Sequence, residues 1–179
     1  MIAIIIGTKA ELIKCIPVMK ELEKREIDYF FIHTGQHNIN EIIRDFKLKK
    51  PDKVLYSPPK SSSKFMVKTH KAIFWFLPLI FKIRKILNEI KPSHVLYHGD
   101  TLSSAAAAMA SSSFFGKKNW KNAHLEAGLR SYDRRMPEEI NRIVADHVSD
   151  YLFAPTEKAK QNLLKEGVDE EKIFVTGTC

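Results

Sequence analysis

The sequence predicts an α/β fold built on a doubly wound parallel sheet, and three observations predict it. Seven short apolar runs recur along the 179 residues. Each is apolar at nearly every position rather than at alternate ones, as strands covered on both faces must be. Helical patterns separate most of the runs, which is the strand–helix alternation of parallel sheets.

The runs are residues 2–7 (IAIIIG), 29–35 (YFFIHTG), 53–57 (KVLYS), 93–99 (SHVLYHG), 122–128 (NAHLEAG), 151–156 (YLFAPT) and 172–178 (KIFVTGT). Between the first two, Leu12, Ile13, Ile16, Met19 and Leu22 form a helical stripe. Residues 101–116 (TLSSAAAAMASSSFFG) are small and suit a helix packed tightly on a sheet. In 137–150 (PEEINRIVADHVSD), Pro137 stands at a helix start with two acids in the first turn. Residues 157–167 (EKAKQNLLKEG) form a further helix that Gly167 closes. The one linker-like segment, SPPKSSSK at 57–64, predicts a loop before a long helix rather than a domain boundary. No internal repeat is present.

A chain of this length carries one domain with a proper core. Charged residues make up 28% and apolar residues 44%, the balance of a globular protein without membrane spans. The net charge of +8 suits either a lysine-rich surface or an anion-binding face; the basic residues are spread out, with no arginine-rich tail for nucleic acid. Cys15 falls in a helical pattern and Cys179 is the last residue, so neither a disulfide framework nor a metal site is implied. The most apolar run, Ala72–Phe81, is about half the length that crosses a bilayer, and Pro78 interrupts it. It reads as a core or interface helix. The first residues lack the basic start of a signal sequence. These features together predict a cytoplasmic protein.

In such a sheet ligands bind beyond the carboxyl ends of the strands, so the polar residues after each run are the candidates. After the first comes GTKAELIK. Gly7 permits a tight turn, Thr8 can cap a helix whose N-terminus can hold an anion, and Lys9 and Lys14 offer point charges for phosphate. An ordinary strand–turn–helix explains the piece equally well, and both common nucleotide fingerprints are missing. His37 in TGQHN is either a ligand contact or a solvated loop histidine. Asp100 in HGDT either caps the next helix or points into the crevice.

Residues 124–142, HLEAGLRSYDRRMPEEINR, hold four carboxylates and four arginines in nineteen positions. Glu126 ends an apolar strand, where an unpartnered carboxylate is costly, and Arg130 or Arg142 is its expected partner. Glu138 and Arg142 lie four apart and share a helix face, an exposed pair worth only tenths of a kcal/mol. That pair explains a helix but not three acids, Asp100, Glu126 and Glu138, near strand ends of one sheet. Convergent carboxylates suit general acid and base work. Glu139, about 100° around the helix from Glu138, is expected to matter less.

GTKAELIK, TGQH, HGDT, HLEAGLRSYDRRMPEEINR, SDYLFAPTEKAKQNLLKEGV and VTGT occur in this order over nearly the whole chain, which thereby resembles the non-hydrolysing UDP-N-acetylglucosamine 2-epimerase family. The resemblance implies one Rossmann-like half of a glycosyltransferase-B-type architecture. It implies interconversion of UDP-GlcNAc and UDP-ManNAc by elimination of UDP and re-addition, with no metal or other cofactor. By motif position Asp100, Glu126 and Glu138 match the family's catalytic acids. Lys14 matches its substrate-binding lysine, and Arg142 the arginine after the paired glutamates. The family usually has GTRPE where this chain has GTKAE; Lys9 keeps the charge without the bidentate fork.

The resemblance also implies that 1–179 is an amino-terminal domain whose carboxy-terminal nucleotide-binding domain lies outside this chain or on a separate one. The isolated chain is then expected to be inactive. A hydrolysing 2-epimerase that releases UDP and ManNAc stays open, as does an inactive half-domain that binds a partner. A homodimer through the apolar 72–81 helix is expected.

Overall fold

The structure, a computed structural model, describes residues 1–57 and 69–178. Seven parallel strands form one sheet in the order β3-β2-β1-β4-β5-β6-β7. They are β1 Ile2–Ile6, β2 Tyr29–His33, β3 Lys53–Val54, β4 His94–His98, β5 Lys121–Leu125, β6 Tyr151–Ala154 and β7 Ile173–Val175. Each expected run holds one of them, although only two residues of 53–57 pair. The helices are α1 Lys9–Lys24, α2 Asn40–Asp45, α3 Thr69–Ile90, α4 Leu102–Ser111, α5 Pro137–His147 and α6 Glu157–Lys165. The loop expected at 57–64 lies, past Ser57, outside the described residues.

The reason for the continuous apolar runs is visible in β1. Ala3 and Ile5 enter a core shared with α3 and α4, while Ile4 and Ile6 enter the core on the opposite face with α1 and α2. Alternate residues thus face alternate layers, and both layers are dry. Ala105 to Ala108 and Ala110 are all buried, which lets α4 sit between α3 and α5. Pro17 lies within α1 and Pro78 within α3. The apolar run 72–81 is helical as expected, with Pro78 inside; a proline forgoes one backbone bond, and tertiary packing offsets the loss. Gly167 (φ +81) closes α6 as expected, with Val168 N bonded back to Leu163 O.

After β3 the chain crosses back so that β4 pairs with β1 on the side away from β2. This reversal creates a crevice at the carboxyl edge. Register then places the ends of β4 and β5 side by side, with His98 opposite Leu125. Glu126 follows Leu125 directly, and Asp100 follows His98 after Gly99. Among the described residues no helix is long and apolar enough to cross a membrane.

Candidate active site

The crevice begins at the turn after β1. Gly7 is required there by close approach: a Cβ would lie 2.0 Å from Ser103 Oγ and 2.6 Å from Thr34 Oγ1. Thr8 caps α1, its hydroxyl accepting from Glu11 N at 3.2 Å. Glu11, 3% exposed, completes the capping box by accepting from Gly7 N at 2.5 Å and Thr8 N at 3.0 Å. Its other oxygen accepts from the hydroxyls of Thr101 and Ser104. The anion expected at this helix terminus is therefore the protein's own. Burial pushes the Glu11 carboxyl up, against four hydrogen bonds that favour the ionised form. Thr101, not Asp100, caps α4 by accepting from Ser104 N at 3.2 Å.

Two ion pairs stand on the carboxyl edge. In one, Lys14 from the second turn of α1 meets Glu126 Oε1. Glu126 adopts φ +66, a left-handed conformation that costs a non-glycine residue about 1–2 kcal/mol and is concentrated at functional sites. In the other, Arg142 meets Asp100 with one nitrogen and Glu139 with the other, the latter at 2.9 Å. Asn141 Nδ2 donates to Asp100 O at 3.0 Å and fixes the turn against α5. The partners read from sequence are thus corrected. Glu126 pairs with neither Arg130 nor Arg142, and Arg142 pairs with Glu139 rather than Glu138.

Glu138 is exposed at the first turn of α5 and makes no hydrogen bond or ion pair among the described residues. Glu139 is the structural acid. It is 2% exposed and accepts from Ser131 N, Ser131 Oγ and Tyr132 N at 3.0–3.1 Å. Burial raises its pKa, but these donors and Arg142 carry it below the ordinary value. Glu139 thus anchors the turn before α5, a structural role distinct from the proton transfer for which it is expected to matter less than Glu138. Lys9 is exposed, 3.4 Å from Glu41, and His37 is exposed beside it. The His37 imidazole is lowered by partial burial and by Lys9. Both stand on the rim, apart from the two ion pairs.

Sequence reading passed over the support beneath these groups. His124, 0% exposed, donates from Nε2 to Gly99 O at 2.7 Å and sets Nδ1 2.6 Å from Asp146. Asp146 also accepts from Gly128 N at 3.1 Å and Arg130 at 2.7 Å. Arg130 grips Glu166 with two bonds of 2.7 Å. One buried histidine thus ties the turn of Asp100 to the turn of Glu126. His98, 3% exposed, lies between Glu126, Lys14 and Asp100, and burial drives its imidazole down to about 4. The signal for both was available: a histidine within a buried strand requires a polar partner. Among the described residues no cluster of three or more histidine, cysteine or acidic side chains is placed to hold a metal.

Taken together, the edge presents two carboxylates, each against a cation, with a third acid free at a helix start. Such an edge can move protons and hold an anionic ligand. A sequence profile of the UDP-N-acetylglucosamine 2-epimerase family matches residues 20–179. The UDP-N-acetylglucosamine 2-epimerase of Methanocaldococcus jannaschii is 44% identical over 98% of this chain, which covers 45% of that protein. The crystal structure of the M. jannaschii UDP-GlcNAc 2-epimerase with UDP-GlcNAc and UDP superposes with a TM-score of 0.85. That comparison has 41% identity and covers 99% of this chain and 46% of the other. The UDP-GlcNAc 2-epimerase of Neisseria meningitidis bound to UDP-GlcNAc gives 0.83 at 33% identity, over 99% and 46% of the two chains. The chain spans about half the length of the curated relatives it matches.

Proposed function

The chain belongs to the UDP-N-acetylglucosamine 2-epimerase family, and from that premise we propose that it supplies the proton-transfer half of a non-hydrolysing UDP-GlcNAc 2-epimerase. The observation that carries the reading is the pair of cation-held carboxylates, Asp100 and Glu126, on neighbouring strand ends of one sheet. In the reaction a C2 proton passes to a protein group while the C1–oxygen bond breaks and its electrons leave with UDP. Re-addition of UDP follows, with protonation on the opposite face of C2, and yields UDP-ManNAc. Asp100, Glu126 and Glu138 are the proposed proton-transfer groups. Lys14, Arg142, Lys9 and His37 are the proposed contacts for the anionic substrate. No metal or cofactor takes part.

On this reading residues 1–179 form an amino-terminal Rossmann-like domain, and a second domain closes the cleft and binds the nucleotide. The half-length coverage of the relatives supports that division. We further propose a homodimer. Leu77, Phe81 and Phe114 are 50%, 59% and 74% exposed, and the rings of Phe81, Phe114 and Phe115 pack edge to face. A cluster this apolar is a contact surface, and sedimentation of Phe81→Asp against the parent tests it.

Products decide between the epimerising and hydrolysing outcomes. The 179-residue chain, combined with the carboxy-terminal half of the M. jannaschii relative, is expected to convert UDP-GlcNAc to UDP-ManNAc. Free ManNAc with stoichiometric UDP would instead establish the hydrolysing reaction.

A further inference from the structure

Glu126 has two partners within reach but keeps only one. Lys14 sits on Oε1. His98 Nε2 stands 3.9 Å from Oε2, beyond hydrogen-bond range. Among the described residues the His98 ring makes no hydrogen bond, although the residue is 3% exposed. Among the described residues no buried side-chain nitrogen or oxygen lacks a partner, so the ring nitrogens of His98 keep contact with solvent in the crevice. The ring faces a hollow of about 320 Å³ that Glu126 also lines, together with Val18, Leu125 and Phe153.

The two partners differ in how firmly they are held. His98 is fixed at the end of β4, and Glu126 by its own left-handed backbone. Lys14 reaches Glu126 on a flexible four-carbon stem, and its side chain is 43% exposed. A diphosphate carries more charge than one carboxylate and attracts the ammonium more strongly.

We propose that Lys14 is a latch on Glu126 which an anionic ligand withdraws, and that His98 is the partner to which the freed carboxylate turns. The proposal rests on the reading above for the identity of that ligand, a UDP-sugar. With the latch closed, the ammonium occupies one oxygen of the carboxylate. With the latch open, a neutral imidazole donates one hydrogen bond that orients the carboxylate, and the oxygen that Lys14 held is free to face the ligand. His98 is thus a positioning residue that acts through Glu126. Four groups face its ring: Glu126 and His124 from β5 and its turn, Lys14 from α1, and Asp100 from the turn after β4. Burial first, then Lys14, keeps it neutral near pH 7, against the upward pull of Glu126.

NMR with labelled histidines tests the latch in two arms. In Lys14→Met of the 179-residue chain, with no ligand, an exchange-protected downfield imidazole N–H signal of His98 is expected; it should vanish again in Lys14→Met with Glu126→Ala. A rise of the His98 titration midpoint without that signal reports only the lost charge of Lys14 and overturns the proposal. In the second arm UDP-GlcNAc is titrated into the chain joined to the carboxy-terminal half of the M. jannaschii relative, and the same signal is expected at saturation. Saturation followed by backbone amides, without the signal, also overturns it. If UDP-GlcNAc does not bind at all, the substrate reading fails, while the Lys14→Met arm still decides whether the latch exists.

Discussion

Lys14, one turn into α1, places its ammonium on the carboxylate of Glu126, 112 residues further along the chain. The contact joins the first strand–helix unit to the end of β5 across the crevice where the chain reverses. Both side chains retain solvent contact, at 43% and 17% exposure, so the pair contributes about 1 kcal/mol or less to stability. Its importance is positional.

Glu139 rather than Glu138 holds the turn together. Glu139→Ala strands the amides of Ser131 and Tyr132 and frees Arg142. A loss of about 2–4 kcal/mol is expected in urea unfolding, from several donors left unsatisfied at once. Glu138→Gln should stay within about 0.5 kcal/mol of the parent.

Arg84 donates to the carbonyls of Ala110, Ser112, Gly116 and Lys117 at 2.8–3.1 Å and lies 4.9 Å from the Trp120 ring. The planar fork serves four acceptors that a single ammonium cannot reach together. Arg84→Lys is expected to cost about 1–3 kcal/mol in urea melts, and Arg84→Ala more.

Gly128 adopts φ +80, and a Cβ there would stand 2.4 Å from Ala159 O. Backbone cannot yield as a side-chain tip can. Gly128→Ala should lower the thermal midpoint by several degrees, equivalent to more than about 1 kcal/mol.

His98 gives the fold a pH dependence of fixed sign. Its folded pKa is depressed from the ordinary 6.5 to about 4, mainly by burial. The unfolded chain therefore binds the proton first. The contribution is complete above about pH 6.5 and is lost as pH falls toward 4, by an amount on the order of 3 kcal/mol. Denaturation of the parent and of His98→Asn from pH 4 to 7 should show the parent losing stability more steeply. Parallel curves would contradict this.

The fold was legible because its signal is local and repeated. Seven unbroken apolar runs with helices between them leave few alternatives to a two-faced parallel sheet, and each run holds a strand. Asp100 and Glu126 were legible as edge residues for the same reason. Their partners were not, since Lys14–Glu126 and Arg142–Asp100 join distant segments, and nearby charges in sequence misdirect the pairing. The phase of α5 misled further. Its buried face carries Glu139 and Asp146, while Ile140 is 44% exposed. Ala145 joins the core against α4, but Glu139 and Asp146 face the turns after β5 and bond their amides, so apolar spacing alone does not mark them as buried. The short α2 was missed because its N-cap, Ile39, offers no side-chain cap.

The central claim is that Glu126 and Glu138 move protons at C2. The measurement that tests it most directly is deuterium incorporation at C2 of UDP-GlcNAc in heavy water, followed by NMR. The 179-residue chain joined to the carboxy-terminal half of the M. jannaschii relative is the enzyme for it. Exchange is expected in that enzyme, little or none from the 179 residues alone, and about 10²- to 10⁴-fold less in Glu126→Gln and in Glu138→Gln, with the fold retained. Exchange at the parent rate in both variants would contradict the account, and the charged edge would then be a surface network of ion pairs.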